Sequence, residues 1–206
     1  MKMISKITLA ICIFAALAFA TPNTTPDKKP IVVVIDAGHG GHDDGLKIDH
    51  YAEKKIVEAI AYKIKELNTN NNIVIHLTRT EDQFVSLDNR AKFINDLKPD
   101  LVLSLHVNGN PNKEISGLEF YVSPQNKAFA QSKKIAELLN NQFVSKHHFN
   151  SKGVKEANLM VLKNSFAPAV TFEMGYLSND NDLKYLTNEV QHEAIANAIL
   201  EVIAQL

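Results

Sequence analysis

The chain has 206 residues, of which 45% are hydrophobic and 22% charged, and its formal net charge is −1 at pH 7. This composition is that of an ordinary globular protein with enough residues for one domain and a substantial core. Because the charge is close to neutral and no basic patch is visible, we expect no nucleic-acid partner.

The first 20 residues have the pattern of a secretory signal. Two lysines precede an apolar run over residues 7–19, and Ala18-Phe19-Ala20 supplies the small–x–small pattern of a signal-peptidase site. The apolar run is short for a membrane span, so we predict cleavage near residue 20, with an uncleaved anchor as the alternative. Cleavage would also remove Cys12, the one cysteine. We therefore expect a secreted protein without stable membrane insertion, in the periplasm or outside the cell, and without disulfides.

Residues 21–30 are polar and proline-containing, as a leader would be, and no second linker of this kind follows. We therefore divide the chain into a signal peptide (residues 1–20), a leader (21–30) and one domain (31–206).

Apolar runs and helical periodicities alternate along this domain. Runs of β-favouring apolar residues predict strands at residues 31–35, 73–77, 101–105, 118–122, 158–162 and 169–172. Apolar residues at helical spacing predict helices over residues 53–67, 86–97 (with Ser86 as the N-cap), 126–143 and from about 189 to the end. This alternation predicts a single α/β domain, with a largely parallel or mixed sheet of about six strands and helices on both faces.

A glycine-rich loop, AGHGGHDDG, follows the first strand. In open α/β sheets, ligands bind outside the carboxyl ends of such strands. His39 lies in this loop, and His106 follows the third strand, so neighbouring strands could bring both imidazoles to one edge. Glu53 opens the first helix, where a carboxylate is favoured by the helix dipole in any case.

Two histidines and a glutamate are the ligand set of several zinc hydrolases. The alternative is that each imidazole is an ordinary hydrogen-bonded loop residue and that Glu53 is only a favourable first-turn charge. Glu173 follows the last predicted strand and could reach the same edge. It adjoins an apolar strand end, where burying a carboxylate without a partner is costly. Spacing alone leaves the metal site and the alternative open.

Four separated motifs resemble the zinc-dependent N-acetylmuramoyl-L-alanine amidases. They are VVIDAGHGGHDDG (residues 33–45), EKK (53–55), SLHVNG (104–109) and FEMGYLSN (172–179). The resemblance implies that His39, Glu53 and His106 hold one Zn²⁺ and that Glu173 is the catalytic carboxylate. Asn108 is a candidate substrate-binding residue, although a turn amide after the strand is an equal alternative.

The implied reaction is hydrolysis of the amide that joins the lactyl group of N-acetylmuramic acid to L-alanine of the peptidoglycan stem peptide. A zinc peptidase acting on other peptides, or a non-catalytic peptidoglycan-binding protein, are the alternatives. Some amidases of this family carry an inserted helix that covers the zinc. Residues 110–116 are too few for such an insert, so we predict an open site. We also expect a monomer without a built-in wall-binding module.

Several polar residues near these motifs have simpler interpretations. We interpret His42, Asp43 and Asp44 as solvated loop residues, with a supporting role around the metal as the alternative. We assign Arg79 and Arg90 to structural ion pairs rather than to substrate contacts.

Overall fold

Strands and helices alternate along the computed structural model, which describes residues 29–147 and 150–206. The predicted signal peptide and most of the predicted leader lie outside these residues. The strands are β1 (Ile31–Ala37), β2 (Lys47–Ile48), β3 (Tyr51–Ala52), β4 (Ile73–Leu77), β5 (Leu101–Asn108), β6 (Leu118–Val122), β7 (Ser151–Glu156) and β8 (Ala169–Tyr176). The helices are α1 (Glu53–Leu67), α2 (Leu87–Leu97), α3 (Phe129–His147), α4 (Met160–Asn164), α5 (Asp180–Leu186) and α6 (Glu189–Ile203).

Six of the strands form one mixed sheet in the order β4-β1-β5-β8-β6-β7. The first four in this order are parallel to one another. Strand β6 runs antiparallel to β8, and β7 runs parallel to β6. The carboxyl ends of β1, β5 and β8 therefore meet at one edge of the sheet, which is where ligands bind in folds of this kind.

Helices cover both faces of the sheet. One face packs against α1, α3 and α6 through a large apolar cluster that includes Ile60, Leu139 and Ile199. The other face packs against α2 and α4 through a smaller cluster that includes Ile94 and Leu162. Because helices cover both faces of the sheet, side chains of the central strands must be apolar on both faces. This explains the continuous run of apolar residues in β1. The predicted single α/β domain with a six-stranded mixed sheet is confirmed.

The prediction of a strand at residues 158–162 is wrong. Met160–Asn164 forms the short helix α4, whose Val161 and Leu162 are buried against the smaller apolar cluster. A short apolar run has no period that separates a strand from a helical turn, so packing decides its conformation. The sixth strand is instead β7, an edge strand with mostly polar residues.

Three predicted strands are longer than expected, and the first of them, β1, continues to Ala37. Strand β5 continues to Asn108 and β8 continues to Tyr176, so His106 and Glu173 lie within strands rather than after them. Strand geometry fixes the direction of both side chains more firmly than a loop would. Within the described part of the chain, no helix is both long and apolar enough to cross a membrane.

Candidate metal centre

The loop after β1 turns sharply at His39, whose φ of 58° lies in the left-handed region. Two glycines let the loop approach the other site residues closely. A Cβ at Gly38 would lie 2.5 Å from the His106 ring, and one at Gly45 would lie 2.5 Å from Glu53 Oε2. Side chains at these positions would therefore displace His106 or Glu53.

Three side chains converge at the carboxyl edge of the sheet. Candidate ligand atoms of His39, Glu53 and His106 all lie within 4.8 Å of one another. Glu53 Oε1 lies 3.2 Å from His39 Nε2 and 2.9 Å from His106 Nδ1. The imidazole rings stand nearly perpendicular, with centroids 5.0 Å apart. The three residues come from the β1 loop, the start of α1 and the end of β5.

Backbone amides hold the Glu53 carboxylate in place. The N–H of Val107 donates to Oε1 at 3.0 Å, and the N–H of Leu46 donates to Oε2 at 2.9 Å. Glu53 is buried. Burial alone would raise its pKa, but contacts with the imidazoles of His106 and His39 hold the pKa well below its usual value. The carboxylate is therefore negative at neutral pH.

The chemistry of this group suits a divalent cation. Burial by itself would lower the pKa of each imidazole, but Glu53 raises the pKa of His106, and Glu53 with Asp43 raises that of His39 to about 9. The buried negative charge of Glu53 favours positive charge at the point where the three ligand atoms meet, and a cation that binds there displaces the imidazole protons. Three protein ligands of these types leave a further coordination position for water or substrate, as in catalytic metal sites. The residues present fit a metal ion.

Asp43 contacts this group through the His39 ring. Its Oδ2 is 2.9 Å from His39 Nδ1, and its Oδ1 accepts a hydrogen bond from the N–H of Gly45 at 3.0 Å. A carboxylate on the far nitrogen of a ligating imidazole fixes the ring orientation and tautomer. These contacts favour the supporting role that was the alternative interpretation of Asp43, whose side chain is 43% exposed.

Two buried arginines hold the backbone of the His39 loop. Arg90 donates to the carbonyl oxygens of Ala37, at 2.6 Å, and of His39. Arg79 donates to those of Ala37 and Gly38, each at 3.1 Å, and to a carbonyl in the first turn of α1 at 2.9 Å. The Arg79 guanidinium therefore connects the loop that carries one imidazole to the helix that carries the carboxylate, and Arg90 connects the same loop to α2.

Glu173 lies beside this group in β8, opposite His106 in the sheet register. Among the described residues, its buried Oε2 has no hydrogen-bond partner. Burial, together with the negative charges of Glu53 and Glu119, raises the pKa of Glu173 to about 7, although His106 opposes the shift. A carboxylate with such a pKa can accept and return a proton near neutral pH.

A cleft of about 430 Å³ opens above these residues. Its floor includes His39, Glu53, His106 and Glu173, and Asn108 also lines it. A second hollow of about 520 Å³ shares His39 and His106 with the first. The shared walls are apolar, formed by Leu87, Met160 and Val161. The site can therefore receive an extended ligand on both sides of the candidate metal position.

The amide of Asn108 has internal partners as well as access to the cleft. Its Oδ1 accepts from the N–H of Gly109 at 2.8 Å, and its Nδ2 lies 3.5 Å from Glu119 Oε2. A substrate-binding role for Asn108 stays a prediction. Glu119 itself was missed in the sequence, although a lone carboxylate within the apolar stretch LEFYV is a signal that could have marked it.

Comparisons with known proteins agree with this geometry. The family model described as N-acetylmuramoyl-L-alanine amidase matches residues 33–205. The probable cell wall amidase LytH of Staphylococcus saprophyticus is 30% identical over 182 residues, which cover 85% of this chain and 59% of that protein. The chain spans roughly three fifths of the length of such curated relatives.

Solved structures of amidases are similar to this fold over most of the chain. An N-acetylmuramoyl-L-alanine amidase from Clostridium difficile 630 aligns with a TM-score of 0.81 at 30% identity, covering 86% of this chain and 97% of that one. The CwlD amidase of Clostridioides difficile, solved in complex with the GerS lipoprotein, aligns with a TM-score of 0.78 at 27% identity, covering 85% and 97%.

Proposed function

This chain belongs to the N-acetylmuramoyl-L-alanine amidase family, and from that premise we propose that it hydrolyses the amide between the lactyl group of N-acetylmuramic acid and L-alanine of the peptidoglycan stem peptide. The observation that carries the proposal is the convergence of His39, Glu53 and His106 beside the unpartnered carboxylate oxygen of Glu173. These groups are the parts that metal-assisted amide hydrolysis requires.

We assign His39, Glu53 and His106 as the ligands of one Zn²⁺, because imidazole and carboxylate donors in a set of three suit a catalytic zinc. When bound, zinc would polarise the scissile carbonyl and lower the pKa of the attacking water towards roughly 7. Asp43 orients the His39 ring through Nδ1, and the amides of Val107 and Leu46 fix Glu53.

We assign Glu173 as the catalytic carboxylate. It takes one proton from the attacking water at its free Oε2, and the water oxygen forms the new bond to the carbonyl carbon. It then delivers a proton to the alanine nitrogen as the C–N bond breaks, which releases an amine and a lactyl carboxylate. An amide nitrogen leaves poorly unless it is protonated. A single carboxylate that first accepts a proton from the water and then donates one to the nitrogen serves both steps.

Apolar side chains line the cleft beside the candidate metal position, and Asn108 offers a hydrogen-bonding amide to the substrate. We propose that the enzyme acts outside the cytoplasm, since its substrate is the cell wall and its relatives include cell wall amidases. A monomer stays a prediction, because the relative CwlD is solved with a lipoprotein partner.

The decisive experiment is a digest of purified sacculi with identification of the new chain ends by mass spectrometry. The proposal expects free α-amino groups on L-alanine and intact lactyl carboxyls on muramic acid. New ends between stem-peptide residues would instead indicate a peptidase. Binding of sacculi without any cleavage would indicate a non-catalytic wall-binding protein. Protein treated with a chelator and then resupplied with zinc serves as the control for the metal.

A further inference from the structure

A second buried carboxylate, Glu119 of β6, adjoins Glu173. The two residues are directly opposite each other in the antiparallel β6–β8 pair, so their side chains lie on the same face of the sheet. Opposite residues in such a pair have Cβ atoms roughly 5 Å apart. Glu119 is only 2% exposed, and it is not part of the converging ligand group.

The two neighbouring carboxylates differ in their hydrogen-bond donors. Glu119 Oε1 accepts from the hydroxyl of Tyr176 at 2.6 Å and pairs with Lys155 Nζ at 2.9 Å, while the hydroxyl of Tyr121 donates to Oε2. Glu173 Oε2, by contrast, has no partner among the described residues. Burial would raise the pKa of Glu119, but these hydroxyls and the lysine hold it below its usual value. Glu119 is therefore a fixed negative charge.

Lys155 is the charged donor among these three, and its side chain is 41% exposed. It lies on β7 in register with Tyr121, so its side chain lies on the same face as Glu119 and Glu173. With Glu119 uncharged, the lysine would have Glu173 as a neighbouring buried carboxylate one strand further on. If the Lys155 ammonium group paired with Glu173, it would stabilise the charged form of that carboxylate and make it a weaker base.

We propose that Glu119 is a positioning residue for the reaction: it engages Lys155 and two tyrosine hydroxyls, and so leaves Glu173 without a donor and free to accept the proton of the attacking water. This inference rests on the proposed function, because it assigns Glu173 as the proton acceptor.

The test compares E119Q, K155M and the double variant E119Q/K155M. Glutamine keeps one oxygen, which replaces the acceptor of only one of the two tyrosine hydroxyls, and it removes the charge that holds the lysine. We expect E119Q to lower kcat about tenfold or more, with KM and bound zinc unchanged, because Lys155 then pairs with Glu173. Adding K155M should restore most of kcat. A double variant that stays as slow as E119Q would overturn the inference.

K152M is the matched control, since Lys152 lies on the same strand but over the Tyr176 ring, 5.3 Å from its centroid. E119Q/K152M should remain as slow as E119Q, and restoration by this variant would contradict a specific role for Lys155.

A crystal structure of E119Q supplies a readout besides activity. Lys155 Nζ should lie within hydrogen-bond distance of Glu173, and a lysine that stays on the substituted side chain would overturn the inference. Because this contact is measured without turnover, it tests the inference even if wild-type protein cleaves no muramoyl amide.

Discussion

At the scale of single residues, two buried carboxylates in this structure have opposite roles because their donors differ. Asp36 accepts hydrogen bonds from Thr78 and Ser104 at 2.7 Å each and from Arg90 at 2.6 Å. Glu173 has an oxygen with no partner among the described residues. A fully engaged carboxylate stabilises the fold, whereas one with a free lone pair is available for chemistry.

Replacing Glu173 with glutamine should remove activity while leaving the metal in place. Glutamine has the same shape but cannot accept and return a proton, so turnover of a muropeptide should fall by roughly 10²–10⁴-fold. Zinc content should stay at the wild-type level, because the converging ligand atoms belong to other residues. Metal analysis and kinetics on the same preparation test both parts. Turnover within a few-fold of wild type would mean that Glu173 is not the proton carrier.

Replacing Asp36 with asparagine should destabilise the fold in a pH-dependent way. Burial alone would raise the pKa of Asp36, but Arg90 and the hydroxyls of Ser104 and Thr78 hold it below the usual 3.8. The stabilisation is therefore complete above pH 3.8 and is lost as the pH falls through the lower folded-state pKa. Breaking this buried pair should cost about 3–5 kcal/mol in the free energy of unfolding at pH 7.

Urea unfolding of wild type and D36N at pH 7 and near pH 3 measures this dependence. The difference between the two proteins should shrink at the acid pH. A difference of the same size at both values would show that packing, rather than the charge on Asp36, causes the effect.

At the scale of elements, the loop after β1 depends on α2 for its shape. Arg90 of α2 reaches the loop carbonyls of Ala37 and His39 through one guanidinium group. Lysine offers one ammonium in place of this fork, so R90K should leave the loop less well fixed. We expect the affinity for zinc to fall roughly 10–100-fold, as for other supporting residues around a metal. Competition with a chelator of known affinity gives the measurement.

Lys92 of the same helix provides the matched control for R90K. Its side chain is 73% exposed and pairs with Asp96, which is 65% exposed, so K92A should change stability by less than about 1 kcal/mol. Its zinc affinity should equal that of wild type. Equal affinity in R90K and K92A would mean that the arginine does not position the loop.

The elements that could be predicted from the sequence are those with a strong period or a long apolar run. Helix α1 begins and ends at the predicted residues, and the Ser86 side chain caps α2 by accepting from the N–H of Asn89. Edge strand β7 was not predictable in this way, because an edge strand needs few apolar residues and SKGVKE has almost none. The apolar run at residues 158–162 predicts a strand, but the helix α4 (Met160–Asn164) forms there instead.

At the scale of the whole molecule, the site depends on strand order, which no local pattern specifies. His39 and His106 come together because β1 and β5 are neighbours in the sheet. From the sequence, the prediction of parallel strands allowed both imidazoles to lie at one edge of the sheet. The resemblance to the amidases implied the complete set of ligands. The sequence offered a supporting role for Asp43 only as an alternative and left Glu119 unremarked, since the contacts of Asp43 with His39 and of Glu119 with Lys155 exist only in the folded chain.

Removing the metal should therefore lower the stability of the whole fold, because the proposed ligands of the metal come from three separate elements. A metal that binds only the folded state, at 1,000 times its dissociation constant, stabilises that state by about 4 kcal/mol. For a protein of this size, each 1 kcal/mol shifts Tm by roughly 2–4 °C, so a chelator should lower Tm by about 8–16 °C. Calorimetry before and after chelation, and after zinc is restored, gives the measurement.

Two variants separate the proposed ligands from the proposed catalytic carboxylate in this experiment. H106A should show a lower Tm that neither chelator nor zinc changes, because one of the three proposed ligands is missing. E173Q should keep the full zinc-dependent shift although it is inactive, since Glu173 acts on the substrate rather than on the metal. A wild-type Tm unaffected by chelation, in protein that metal analysis shows to have lost its zinc, would contradict a metal shared by β5, α1 and the β1 loop.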